Sequence, residues 1–187
     1  MGKETFERIM GIHAAPTLAG FKPGSLISFK KKNFENFENL LLAYKKCFAC
    51  KGISIYILSE NFEYAHIFFY REELLKKALE NETAKKILLS RGYSLFSLSF
   101  VLAKLKQNFC EKDDFPHEIG LFLGYPPEDV KGFIEQKGQN FLVSGYWKVY
   151  SNEVETKKHF EKYACCMREF CDKLSAGVSF AELLTAC

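Results

Sequence analysis

Long apolar runs, strong net charge and the common catalytic signatures are all missing from this sequence. The longest apolar stretch, Tyr93 to Ala103, is broken by serines and ends at Lys104. It is too short to span a bilayer, so no membrane partner is expected. Basic and acidic residues nearly cancel, 26 against 23, for a net charge of +3. That balance gives no electrostatic footprint for nucleic acid, and no nucleic-acid partner is expected. The densest basic cluster, Lys30 to Lys32, fits a solvated strand end. The N-terminal residues carry acids and no apolar signal core, so export is not expected and a cytoplasmic location is.

The missing motifs narrow the chemistry. There is no Gly-Lys-Ser/Thr and no Gly-x-Gly-x-x-Gly, hence no recognisable phosphate-cradling loop. No Gly-x-Ser-x-Gly is present to form a nucleophile elbow. His117-Glu118 opens like the helical zinc-protease motif, but position 121 is Leu where the second histidine is needed. The one CxxC, Cys47-Phe-Ala-Cys50, has no second copy with which to build a four-thiolate zinc site. No metal ligand set is assigned, and the cofactor is left open.

What the chain does have is phenylalanine. Nineteen Phe and nine Tyr, against a single Trp, predict a thick aromatic core with room for an aromatic-lined pocket. Hydrophobic residues at 48% and charged residues at 26% are ordinary for a folded chain. At 187 residues without linker, repeat or low-complexity stretch, one globular domain over 1–187 is expected. Seven cysteines, an odd number in a chain large enough to fold without staples, predict reduced thiols.

The apolar periodicity predicts an α+β fold: a mainly antiparallel sheet of about four strands covered by several helices. A first helix is expected over Glu4–Ile12, then an ordered loop from His13 to Gly24, which holds two prolines and two glycines. Strands are expected at Ser25–Lys30, Ile53–Leu58 and Phe62–Tyr70, the last two as a hairpin, and at Phe141–Tyr150. Helices are expected over Phe34–Phe48, Glu72–Leu79, Glu82–Arg91, Leu95–Phe109 and from Asn152 to about Ser175. Asn81 is placed to cap the fourth of these six helices and Gly92 to end it. Asp114 precedes Phe115-Pro116, so Pro116 can open a short helix that Gly124 closes. A second helix starts at Pro126-Pro127-Glu128-Asp129 and ends at Gly138. Ser179 and Glu182 form a capping box for a short terminal helix.

Three segments are distinctive: Phe115-Pro-His-Glu-Ile-Gly-Leu-Phe-Leu-Gly-Tyr-Pro-Pro-Glu-Asp-Val-Lys-Gly-Phe133, Gly145-Tyr-Trp-Lys-Val-Tyr150 and His13-Ala-Ala-Pro-Thr-Leu-Ala-Gly-Phe-Lys22. Together they resemble an uncharacterised bacterial family, domain of unknown function 3793, over almost the whole chain. The resemblance implies a bacterial cytosolic protein with no assigned reaction, so no catalytic residue carries over. It also implies a cellular setting linked to iron uptake and flavodoxins.

The candidates for chemistry come from the residues themselves. His117 and Glu118, at a helix start, are one pair: His117 can accept a proton, or it can bond a backbone carbonyl and tie two short helices together. His13 and Lys22 bracket the Pro/Gly-rich loop, with His13 for acid–base work and Lys22 for an anion; alternatively the loop packs over the sheet and Lys22 is solvated. Trp147 shares a strand with Tyr146 and Tyr150 that can floor an aromatic pocket or stack a flat cofactor, or it fills the core beneath a helix; Tyr125 is a further ligand-binding candidate. The CxxC sulfurs fall opposite their helix's apolar stripe, at the C-terminal end where the dipole opposes thiolate. Cys165, Cys166 and Cys171 share a helix but point three ways, with Cys171 in the core stripe. Two function classes follow: a small-ligand or catalytic pocket near His13/Lys22 and His117/Glu118, or a non-catalytic adaptor, with an iron link, acting through a protein surface.

Overall fold

In a computed structural model, which describes residues 2–111 and 115–184, the chain divides into two compact units. One holds residues up to Glu72 and from Tyr163 onward; the other runs from Glu73 to Lys162.

The first unit is built on three antiparallel strands, β1 (Gly24–Lys30), β2 (Ser54–Glu60) and β3 (Tyr64–Tyr70), in the order β1-β3-β2. Tyr70 pairs with Gly24 on one side and Ser54 on the other, and β2 carries an irregularity between Ile57 and Ser59. Strand β3 is central, so its backbone is paired on both edges and its side chains Ala65, Ile67, Phe68 and Phe69 are fully buried. Helix α1 (Lys3–Leu18) lays Phe6, Met10, Ala14 and Leu18, one turn apart, into the core. Helix α2 (Phe37–Ala49), capped by the Asn36 side chain, adds Phe37, Tyr44 and Phe48. Phe6 stacks on Phe29 at 5.2 Å, and Phe48 and Phe69 meet edge to face at 5.8 Å. The aromatic core predicted from composition is here.

Helix α1 runs six residues past the expected end. Pro16 lies inside it, where the lost N–H costs roughly 3 kcal/mol. Complete burial of Ala14, Ala15 and Leu18 offsets that cost. The side chain of Arg71 finishes the job: its Nε donates to the Thr17 carbonyl at 2.8 Å, its Nη2 to that of Leu18, and its Nη1 to that of Lys51 at 3.0 Å.

The second unit contains α3 (Glu72–Leu79, its first residue excepted), α4 (Glu82–Ser90), α5 (Leu98–Glu111), α6 (Ile119–Phe122) and α7 (Pro127–Glu135). Asn81 caps α4 as expected, accepting from the Thr83 and Ala84 amides at 2.8 and 3.2 Å. Gly92, Gly124 and Gly138 close α4, α6 and α7 with φ of +79°, +80° and +72°. The expected strand Phe141–Tyr150 is instead a tight ribbon, β4 (Val143–Ser144) against β5 (Lys148–Val149). A turn closed by the Gly145 amide on the Trp147 carbonyl, at 3.0 Å, splits it. With this ribbon, the described residues form three strands plus two, all antiparallel, in an α+β fold.

Helix α8 (Glu153–Ser175) begins in the second unit and ends in the first, and α9 (Phe180–Leu183) follows. The Ser179–Glu182 capping box of α9 is present in full. Asp114, expected to precede a helix start, lies outside the described residues. No helix among the described residues is long and apolar enough to cross a membrane.

Candidate functional site

The second unit folds the two most distinctive segments of the sequence onto each other. Helix α6 is a single turn, and the expected start at Pro116 falls at Ile119, leaving His117 in the turn before it. Gly124 reverses the chain, and Pro126-Pro127 starts α7 with proline in its first turn. Glycine is required at 120: a Cβ there would stand 2.9 Å from both Tyr125 and Val130. The close approach of α6 to α7 depends on its absence.

Asp129, in the first turn of α7, fastens the ribbon to this helix pair. Its side chain is 1% exposed and accepts four hydrogen bonds. Oδ2 takes the Trp147 indole N–H at 2.8 Å; Oδ1 takes the amides of Tyr150 and Ser151 at 2.8 and 2.9 Å and the Ser151 hydroxyl at 2.8 Å. Trp147 is thereby fixed with Tyr125 stacked on it at 4.7 Å and the Phe160 ring edge-on at 4.6 Å.

Between these parts lies a cleft of about 480 Å³, within the range of small-molecule sites. Its walls are mostly rings: Phe115, Tyr125, Phe133 and Trp147, with Ile119 and Leu123 beside them. Among the described residues, His117, Ser144 and Lys148 reach it besides Asp129. His117 stands edge to face with Phe133 at 4.9 Å. Lys148 Nζ donates to the Gly138 carbonyl at 2.7 Å and sits 4.8 Å from the Phe141 ring centroid. Burial raises the pKa of Tyr125, whose hydroxyl donates to the Tyr146 carbonyl at 3.4 Å.

Of the residues singled out from sequence, His117, Tyr125 and Trp147 line this one cleft. Glu118 does not face it as a free base. It is 1% exposed, and its Oε1 accepts from Tyr93 Oη and Asn108 Nδ2, both at 3.0 Å. Burial first, and the neighbouring Glu118 second, raise the pKa of Tyr93. His13 is corrected more sharply: it lies on the exposed face of α1, a regular helix, and the ordered loop begins only after Leu18. Lys22 is half-buried in the first unit, its ammonium 5.9 Å from the Tyr163 ring centroid. Burial lowers its pKa to about 8.

The cysteines behave differently from expectation at two places. Cys47 is partly buried against the first unit's core, while Cys50 is exposed, so the two sulfurs do not share an exposed face. Cys171 is only half-buried, beside Gly11, and Cys165 is exposed with its thiol donating to Glu169 at 3.2 Å. No group of three or more His, Cys, Asp or Glu side chains among the described residues is placed to hold a metal.

Sequence reasoning missed Phe133, Lys148 and Asp129. Lys148 sits in the same Gly145–Tyr150 run as Trp147, on the ribbon beside it. In the sequence Asp129 is only part of a helix start, because nothing local shows that a distant indole and two amides converge on it.

The fold and the cleft define an α+β protein with a ring-lined pocket confined to its second unit. The chain belongs to the family described as Protein of unknown function (DUF3793), which matches residues 10–184. No curated protein and no solved structure matches the chain.

Proposed function

We propose that the second unit's cleft binds a small molecule with a planar, largely apolar ring, and that this is the protein's function in a bacterial cytoplasm. One observation carries the reading. The cleft combines ligand-sized volume with ring walls held rigidly by the Asp129 hydrogen bonds, and few polar groups converge on it. Rigid walls lower the entropic cost of binding, because the pocket is formed before the ligand arrives. His117 and Lys148 then orient the ligand. Neither nucleic acid nor membrane enters this reading.

A titration with 1-naphthol, followed by calorimetry, tests it. Wild-type protein binds the ring, and Ser144→Phe, which fills the cleft from an exposed strand position, weakens binding about tenfold or more, equivalent to about 1.4 kcal/mol. Absence of binding to the wild type, or equal binding by both, overturns the proposal.

An adaptor role is favoured by a different observation. Phe96 and Phe100 are 86% and 58% exposed and meet edge to face at 5.9 Å, an apolar pair on the surface. On that reading, Phe96→Ser with Phe100→Ser abolishes cross-linking to a cellular partner, and the cleft binds nothing.

A further inference from the structure

We infer that the ligand of the cleft is an anion whose charged group is held in an adjoining depression by Arg91 and Lys137. The inference rests on the ring-binding reading above and adds the ligand's charge. The adjoining depression, about 440 Å³, is lined by Arg91, Lys137, Glu118 and Ile134, and shares Phe115, His117 and Phe133 with the ring cleft. The two depressions adjoin at the His117–Phe133 pair, so a ligand that seats its ring in one has the other beside it.

Both cations are carried by turns that end helices. Arg91 is the C-cap of α4, its amide bonded to the Ile87 and Leu88 carbonyls at 3.2 and 3.0 Å. Lys137 occupies a left-handed position, φ +50°, in the turn between α7 and Gly138. A helix C-terminus attracts a cation without any ligand, which accounts for either residue singly. It does not account for two cations from different helices lining one depression. Among the described residues neither side chain forms an ion pair. Among the described residues, the one carboxylate lining the depression is Glu118, which is buried and turns Oε1 to Tyr93 and Asn108. The neighbouring groove adds Lys86 and Lys131, with Glu135 3.8 Å from Lys131. Two cations without an ion-pair partner among the described residues, next to apolar walls, suit an amphipathic anion. The guanidinium offers paired donors to a carboxylate or phosphate, and the ammonium a point charge.

The test compares three naphthalenes of one ring shape by calorimetry: 1-naphthyl phosphate, 1-naphthoate and neutral 1-naphthol. The proteins are wild type, Arg91→Gln, Lys137→Gln and the double variant. Both surface substitutions leave the rings in place. The anions bind the wild type about tenfold tighter than naphthol, as charge-assisted hydrogen bonds require, and the advantage shrinks at high salt. Each single substitution removes about threefold to fivefold of that advantage and the double variant nearly all of it, while naphthol affinity stays within about twofold. The tighter of the two anions assigns phosphate or carboxylate. Anions that bind no tighter than naphthol, or whose affinity survives the double substitution, overturn this inference and leave the ring-binding reading intact. Failure of naphthol to bind removes both.

Discussion

Replacing Asp129 by Asn tests the construction of the site, because a single isosteric atom change alters four hydrogen bonds. The carboxylate accepts from the Trp147 indole through Oδ2, and from two amides and a hydroxyl through Oδ1. An asparagine has one accepting oxygen and must direct an N–H₂ group at the remaining donors. With its oxygen toward the amides of Tyr150 and Ser151, the amide nitrogen faces the Trp147 N–H, donor against donor. The reverse orientation strands two backbone amides, which is worse. The cheaper arrangement loses one charge-assisted bond and leaves one buried donor unpaired, about 2–4 kcal/mol together. For a chain of this size, a loss near 3 kcal/mol lowers the melting temperature by about 6–12 °C. Trp147 is the single tryptophan and is 7% exposed, so its emission reports the local outcome directly. Asp129→Asn is expected to shift that emission to the red and weaken near-ultraviolet circular dichroism before global unfolding. A melting temperature within about 1 °C of wild type, with unchanged emission, would refute the claim that Asp129 organises the cleft.

Three further outcomes follow from individual contacts. Lys22 has its pKa lowered by burial from 10.5 to about 8, so the unfolded chain binds more protons than the folded one between those values. Its penalty is complete below about pH 8 and is relieved as pH rises toward 10.5. Lys22→Met should therefore stabilise by about 1–3 kcal/mol at pH 7 and by almost nothing above pH 10.5; a pH-independent difference in denaturant midpoint defeats this. Gly132→Ala ought to destabilise by roughly 1–2 kcal/mol although alanine is the better helix former, because the added Cβ would stand 2.5 Å from Tyr150 Cγ. Urea titration showing a gain in stability would mean that the Tyr150 ring yields freely. Tyr150 Oη is buried without a hydrogen-bond partner among the described residues, so Tyr150→Phe should be neutral or stabilising by up to about 1 kcal/mol. A clear loss in the same titration would show that the hydroxyl is bonded after all.

What sequence alone determined about this protein is its local punctuation. Asn81 accepts the two amides its position predicts, Ser179 and Glu182 cap each other, and Gly92, Gly124 and Gly138 adopt the left-handed angles that end their helices. Each depends on residues within one turn, so the chemistry is complete in the local string. The hairpin of β2 and β3 was legible for the same reason, and the antiparallel α+β class with it. Tertiary packing decided the rest. Helix α1 continues through Pro16 because buried alanines and the carbonyl bonds of Arg71, more than fifty residues away, outweigh a proline that locally argues for a stop. Phe141–Tyr150 folds back as a ribbon because Asp129 holds Trp147, Tyr150 and Ser151 from outside the segment. The site shows the same division. His117, Tyr125 and Trp147 stood out as types in distinctive runs, but their meeting in one cleft, the burial of Glu118 and the part played by Phe133 and Lys148 are non-local. Those follow from long-range contacts, whose energy appears in no short stretch of sequence.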